Sequence, residues 1–320
     1  MTGAVAITGA SGLMGRHLCD SLLADGVPVR RLVRRPAFEP DEVTWDPATG
    51  ADPRALEGVE AVVHLAGESM LGRWTERKKE AILRSRVDGT RSLCSTLAAM
   101  DAPPRVLVSA SAVGYYGDRG EEVLTEASRP EPGEGGSGAA FLSHVCQRWE
   151  MATQEAEEAG IRVVHLRSGV ILDRDGGALA QMLPFFRAGL GGRLGNGKQW
   201  MPWITNHDQT RVIRHLVRDD RVSEPIDSVA ASVRNQDLTD ALGRVLHRPT
   251  VVAVPGPAAR IVFGEVAEAT LLASQHVVPD RLPKSGFTFD QPDLEVALHA
   301  VLAPDHARRP AEVEAATAKR

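Results

Sequence analysis

Short apolar runs alternate with amphipathic stretches from residue 4 to residue 172. The run at 4–7 is continuously apolar, as a strand buried on both faces requires. Leu13, Leu18, Leu22 and Leu23 then recur at near-helical spacing until Asp25 and Gly26 end the pattern. Further strands are predicted at 28–33, 61–65, 105–108 and 161–167, and helices at about 75–100 and 140–158. Residues 44–47 and 168–172 read as turns. Strand and helix in strict alternation predict an α/β fold built on a parallel, doubly wound sheet.

The pattern then loosens. Residues 118–140 are rich in Glu, Pro, Gly and Ser, and 134–138 predict a mobile loop able to act as a lid. At 190–203 two tryptophans sit among glycines, a poor strand or helix and a reasonable wall for a pocket. Helices are expected at 234–246, 258–273 and 292–302, with a strand at 250–254. The expected division is a binding domain at 1–230, including the loop at about 190–207, a small C-terminal domain at 231–302 and a flexible tail at 303–320.

Composition narrows the function classes. The 320 residues are 43% hydrophobic and 25% charged, the balance of a soluble globular protein. With 37 basic and 42 acidic residues the net charge is −5, which gives no reason to expect nucleic acid or an anionic membrane as partner. No apolar stretch is long enough to span a bilayer, and no targeting segment is evident. Cys19, Cys94 and Cys146 are odd in number and far apart. That argues against a disulfide framework and a zinc cluster, and fits a reducing cytoplasm.

Gly9, Gly12 and Gly15 are spaced G-x-x-G-x-x-G between the first strand and the first helix. Gly9 would allow the tight turn, Gly12 close approach of backbone to a pyrophosphate, and Gly15 close packing of helix on strand. The helix dipole and the free N–H groups around Ser11, Leu13 and Met14 would face the anion. The second strand ends on Arg34 and Arg35 with no acidic residue at its tip. A guanidinium there suits a ribose 2′-phosphate, so NADP(H) is expected rather than NAD(H), with Arg16 able to assist. Leu65, Ala66 and Gly67 form a small-residue turn where backbone can lie near a ligand. Ser109, Ser111 and Tyr116 gather hydroxyls at and beyond a strand's carboxyl end, where open α/β sheets place their chemistry.

These runs match a known family. The chain resembles the extended and atypical short-chain dehydrogenase/reductases, in the branch of epimerase-family proteins of unassigned substrate. The likeness is carried by the glycine run, by Leu65 to Glu68 with Arg73-Trp74-Thr75, by Ser85-Arg86, and by the stretch from Ser109 to Gly117. It continues through Phe141-Leu142, Trp149-Glu150, 175–179, Gly191-Gly192 to Trp203, and Leu246 to Pro249. The resemblance implies an NADP-binding Rossmann domain, with Thr8, Arg86 and Ser109 among the cofactor-binding residues. The small C-terminal region would close a substrate cleft walled by Trp200, Trp203, Lys198 and Gly169.

One departure matters. The wider superfamily moves protons with a Tyr-x-x-x-Lys pair plus a Ser. Here Phe141 and Val145 stand at the Tyr and Lys positions, while the Ser is retained as Ser111. Tyr116, His144 and Glu68 could each take over, Glu68 only if desolvation raised its pKa. The expected function is an NADP(H)-dependent oxidoreductase or epimerase acting on a small polar, sugar-like molecule, as monomer or homodimer. The alternative is a catalytically silent NADP(H)-binding sensor. Strict nucleotide-sugar epimerisation is a weaker expectation, because it too would want the Tyr.

Overall fold

The computed structural model describes residues 3–131, 138–256 and 267–303. Its strands are β1 (Ala4–Thr8), β2 (Val29–Val33), β3 (Glu42–Thr44), β4 (Val59–His64), β5 (Val106–Ala112) and β6 (Val123–Leu124). They continue with β7 (Arg162–Ser168), β8 (Val170–Leu172), β9 (Trp200–Thr205), β10 (Ile226–Ser228), β11 (Ala231–Arg234) and β12 (His276–Val277). The α-helices are α1 (Leu13–Ala24), α2 (Glu76–Ala98), α3 (Gly138–Met151), α4 (Gln154–Glu158) and α5 (Gly177–Arg187). They end with α6 (Asn206–Arg218), α7 (Asn235–Leu246), α8 (Arg281–Lys284) and α9 (Leu294–Leu302). Among the described residues no helix is long and apolar enough to cross a membrane.

Seven strands form one parallel sheet in the order β10-β7-β5-β4-β1-β2-β3. Val5, Ala6 and Ile7 have no exposed surface, because helices cover both faces of the sheet. On one face Leu18 and Leu22 of α1 join Val212, Ile213 and Leu216 of α6. On the other, Leu93, Cys94 and Leu97 of α2 pack with Ala156 of α4. This is the doubly wound Rossmann arrangement. Its strand order reverses between β1 and β4, so the loops leaving those two strands frame a crevice at the sheet's carboxyl edge.

Several local expectations are corrected. The stretch 140–158 breaks into α3 and α4, separated at Ala152 and Thr153. The turn at 168–172 contains β8, and the loop at 190–203 gives way to β9, which pairs with β8 and antiparallel with β11 in a second sheet. That small sheet joins residues on both sides of position 230. Residues 250–254 form no strand; Val254 makes an isolated bridge to Leu194. The expected lid falls largely on 132–137, the expected helix at 258–273 largely on 257–266, and the tail on 304–320, all outside the described residues.

Candidate functional site

Gly9 follows β1 with φ of +68°, and a Cβ there would lie 2.9 Å from the Leu65 carbonyl carbon. Only glycine lets the chain turn that close to the loop leaving β4. A Cβ on Gly15 would fall 2.2 Å from the Gly9 carbonyl oxygen, so α1 sits directly on the turn. Gly12 occupies the N-cap of α1, where no side chain accepts a cap hydrogen bond and no acidic residue stands in the first turn. By contrast α2, α6 and α9 are capped by Thr75, Thr205 and Asp293. The first-turn N–H groups of α1, with Ser11 and Gly12 exposed beside them, are left for an anion.

Beneath this turn lies a buried polar chain. Leu65 N–H and Ala66 N–H donate to Thr8 Oγ1 at 3.1 and 3.2 Å. Thr8 Oγ1 is 2.7 Å from His64 Nδ1, and His64 Nε2 is 3.0 Å from Thr90 Oγ1, which also accepts from Trp149 Nε1–H at 2.9 Å. With two N–H groups on its lone pairs, the Thr8 hydroxyl must give its proton to Nδ1. His64 therefore carries its proton on Nε2 and is neutral. Burial, then the nearby Arg86 charge, push its pKa down to about 4. Thr8 thus acts as a rivet between the two loops, its hydroxyl spent internally.

Three cations border the crevice. Arg34 is exposed and has no ion-pair partner among the described residues. Arg35 is bound through two nitrogens to buried Glu42 at 2.6 and 2.8 Å. Arg86 donates to backbone carbonyls of Glu68 and Ile82, at 3.0 and 3.3 Å, and stacks 5.0 Å over the Trp149 ring. No carboxylate among the described residues pairs with it. A Cβ on Gly67 would lie 3.2 Å from its Cζ, so that glycine leaves room for the guanidinium. Glu68 does not meet the condition set for an acid: Lys78 binds it at 2.5 Å and holds its carboxyl below the usual range.

Ser111 and Tyr116 belong to a second network. Ser111 Oγ donates to Glu150 Oε1 at 2.7 Å, and Arg167 clamps both Glu150 oxygens at 2.8 Å. Arg167 also donates to Tyr116 Oη at 3.1 Å, and that phenol donates to the Asp227 carboxyl at 2.8 Å. Tyr116 has no exposed surface, and burial followed by the Asp227 charge raise its pKa far above the ordinary phenol value. Its hydroxyl is spent on Arg167 and Asp227. Burial, then Glu126, push Asp227 up to about 8. Phe141 packs edge-on to Trp74 at 5.3 Å, with Lys79 Nζ 5.5 Å from its ring centre. His144, one helical turn on, is half-buried and makes no hydrogen bond among the described residues.

The residues expected to wall a substrate pocket do not act together. Trp203 is 1% exposed and fills the core between α5, α7 and α9, so it walls nothing. Trp200 is sandwiched between the His276 ring at 3.8 Å and the Arg234 guanidinium at 3.9 Å. Its N–H donates to Glu121. Lys198 is exposed, and a Cβ on Gly169 would lie 2.8 Å from the Pro202 carbonyl oxygen, so only glycine fits there. Exposed His207 and Asp290 converge with buried Asp208 at metal-ligand spacing, but Arg211 already binds both carboxylates at 2.8 and 3.1 Å.

Residues 5–229 match the NAD dependent epimerase/dehydratase family, and residues 254–301 match a domain of unknown function, DUF1731. The chain belongs to the NAD-dependent epimerase/dehydratase family. It is 39% identical over 297 residues to the epimerase family protein Mb2239 of Mycobacterium bovis, covering 92% of this chain and 96% of that one. Human epimerase family protein SDR39U1 (isoform 2), solved with NADPH, superposes with a TM-score of 0.84 at 32% identity, covering 93% and 98% of the two chains. A nucleoside-diphosphate sugar epimerase from Corynebacterium glutamicum superposes with a TM-score of 0.75 at 35% identity, covering 98% of this chain and 62% of that one.

Within this epimerase/dehydratase fold, the polar residues most tightly bound at the strand ends were the hardest to read from sequence. Glu150 on α3 and Arg167 on β7 lie 17 positions apart, and the β5–β7 register sets Ser111 directly beside Arg167 so that both reach the same carboxylate. The available signal was Arg167, a charged residue closing the strand predicted at 161–167. His64, inside the apolar run at 61–65, gave the same kind of signal for the Thr8 rivet.

Proposed function

We propose that the protein is an NADP(H)-dependent, epimerase-like oxidoreductase acting on a small, polar, sugar-like substrate in the cytoplasm. The observation that carries this reading is the uncapped start of α1 at the switch point, flanked by Arg34 and Arg86, which have no carboxylate partner among the described residues. The residues fit the cofactor. The glycine turn is a cradle that any Cβ would fill, and Ser109 Oγ is buried without a hydrogen-bond partner among the described residues, as a group awaiting a ligand would be. Gly9, Gly12 and the first-turn N–H groups of Leu13 and Met14 would hold the pyrophosphate. Arg34 would hold the 2′-phosphate, and Leu65, Ala66 and Gly67 would line the crevice.

When bound, the nicotinamide supplies hydride transfer. This chain's part is to exclude water, orient the substrate at Ser111 and move a proton. With Tyr116 and Glu68 committed elsewhere, we assign the proton to His144, the candidate left without a hydrogen-bond partner among the described residues. An imidazole can both give and take a proton at physiological pH. Titration with NADPH and NADH, followed by nicotinamide fluorescence, tests the cofactor reading. NADPH should bind at least about 10-fold more tightly, since a guanidinium–phosphate pair is a charge-assisted contact; equal affinities overturn it.

A second reading is favoured by one observation: Phe141 sits in an apolar cluster with Trp74, Ile82 and Val145 where the superfamily keeps its acid. On that reading the protein is a cofactor-binding sensor without chemistry. Hydride transfer measured both ways, NADP⁺ reduction over a panel of polyols and NADPH oxidation over the matching carbonyl compounds, separates the two. Turnover that falls with Ser111→Ala and with His144→Ala supports the enzyme, and no turnover in either direction supports the sensor.

A further inference from the structure

We infer that Glu150 fixes Ser111 as a hydrogen-bond acceptor, so that the site selects a substrate group that donates, a carbinol hydroxyl, over a carbonyl oxygen. The inference rests on the reading of Ser111 as the residue that meets substrate. A serine hydroxyl has one proton and two lone pairs. Here the proton lies on the 2.7 Å line to Glu150 Oε1. Glu150 cannot turn aside, because Arg167 Nε and Nη2 hold its two oxygens at 2.8 Å each, and the carboxylate and guanidinium are 10% and 4% exposed. Arg167 is fixed in turn. Its Nη1 donates to Tyr116 Oη at 3.1 Å, its plane lies 3.5 Å from the Tyr115 ring centre, and its backbone is in register with Ser111.

The direction of every bond in this chain is forced. A guanidinium only donates and a carboxylate only accepts. Turning the Ser111 hydroxyl away would aim an oxygen lone pair at an anionic oxygen 2.7 Å distant and discard a charge-assisted bond. Toward the crevice Ser111 therefore offers lone pairs alone. A ketone or aldehyde oxygen brought to it would set lone pair against lone pair, whereas a hydroxyl would donate. Glu150 is thus a positioning residue that sets the polarity of the site.

A joint neutron and X-ray structure of the deuterium-exchanged protein at neutral pH reads this directly. The Ser111 deuteron is expected on the line to Glu150 Oε1; a deuteron aimed into the crevice overturns the inference. No variant is needed, and the position is readable in crystals without cofactor, so the inference and the NADP(H) reading stand or fall separately. The smallest carbinol and carbonyl test the selectivity in dead-end complexes. 2-Propanol soaked into NADPH-loaded crystals is expected to place its oxygen on Ser111 and to lose that position in Ser111→Ala. Acetone in NADP⁺-loaded crystals with its oxygen on Ser111 overturns the inference.

Discussion

Arg35 is locked to Glu42 through two hydrogen bonds, while its neighbour Arg34 stands exposed with no carboxylate partner among the described residues. Adjacent arginines at the tip of β2 therefore have different jobs. Glu42 also accepts from Phe38 N–H, and with Arg35 as the leading cause its pKa is held down to about 2. The Arg35 pair fastens the turn from β2 to β3. Arg34→Ala should reduce the preference for NADPH over NADH by about 10-fold or more, the loss of one charge-assisted phosphate contact. Arg35→Ala should loosen the turn, lower the melting temperature and change the preference far less. Equal effects of the two substitutions on the NADPH/NADH ratio would refute this division.

The Thr8–His64 bond predicts acid sensitivity. The folded protein holds His64 neutral, with a pKa of about 4 against an ordinary 6.5. Between those values the unfolded chain binds the proton and the folded one does not, so stability rises with pH. The contribution is complete above pH 6.5 and lost as pH falls to about 4, worth roughly 3 kcal/mol at 1.36 kcal/mol per unit. Urea unfolding of wild type and His64→Leu at pH 7 and pH 5 isolates it. The difference between the two proteins should shrink at the lower pH. A constant difference would mean that the imidazole takes up its proton equally in both states.

Tyr116 and Asp227 give the opposite slope. Burial and Glu126 raise the Asp227 pKa from 3.8 to about 8, so the folded state binds the extra proton. Stability from this residue is full below about pH 4 and declines as pH rises toward 8. Asp227→Asn keeps an acceptor for the phenol and should flatten that decline, measured as melting temperature between pH 5 and pH 8. Tyr116→Phe should cost about 1–3 kcal/mol, the price of stranding buried partners, and should leave NADPH affinity unchanged. A turnover loss without a stability loss would return Tyr116 to the chemistry.

Much of this architecture was legible because its signals are local. The glycine turn, the apolar runs of β1 and β4 and the periodicity of α2 are each contained within a single stretch of chain. The second sheet was not. β9 begins with Trp200 and Met201 straight after a glycine-rich segment, and what makes it a strand is pairing with β8, about 33 residues earlier, and β11, about 30 later. Trp203 was misplaced for the same reason. A tryptophan looks alike in sequence whether it walls a pocket or fills a core, and only the helices α5, α7 and α9 around it decide. The Ser111–Glu150–Arg167–Tyr116–Asp227 chain spans 116 positions from end to end. Ser111 and Tyr116 could be picked out as strand-end hydroxyls, but their partners come from three other elements.

The glycines themselves permit a test with opposite signs. In an ordinary helix, replacing Gly by Ala stabilises by about 0.5–1 kcal/mol, because less backbone entropy is lost on folding. Gly89, inside α2, meets that description: a Cβ there would make ordinary contacts with Pro47 at 3.7 Å and Trp45 at 3.8 Å. Gly15, inside α1, does not. Its Cβ would lie 2.2 Å from the Gly9 carbonyl oxygen and 2.7 Å from Ala10 Cα, both backbone atoms that no rotamer change can move. Gly89→Ala should therefore raise the unfolding midpoint, while Gly15→Ala should cost about 1–3 kcal/mol, the range for overpacking. The Gly15 substitution should also weaken NADPH binding in the fraction that folds, because relief of the clash moves α1 away from the turn. If Gly15→Ala stabilised the protein as Gly89→Ala does, the helix would not be seated on the Gly9 carbonyl, and the cradle drawn from that contact would be wrong.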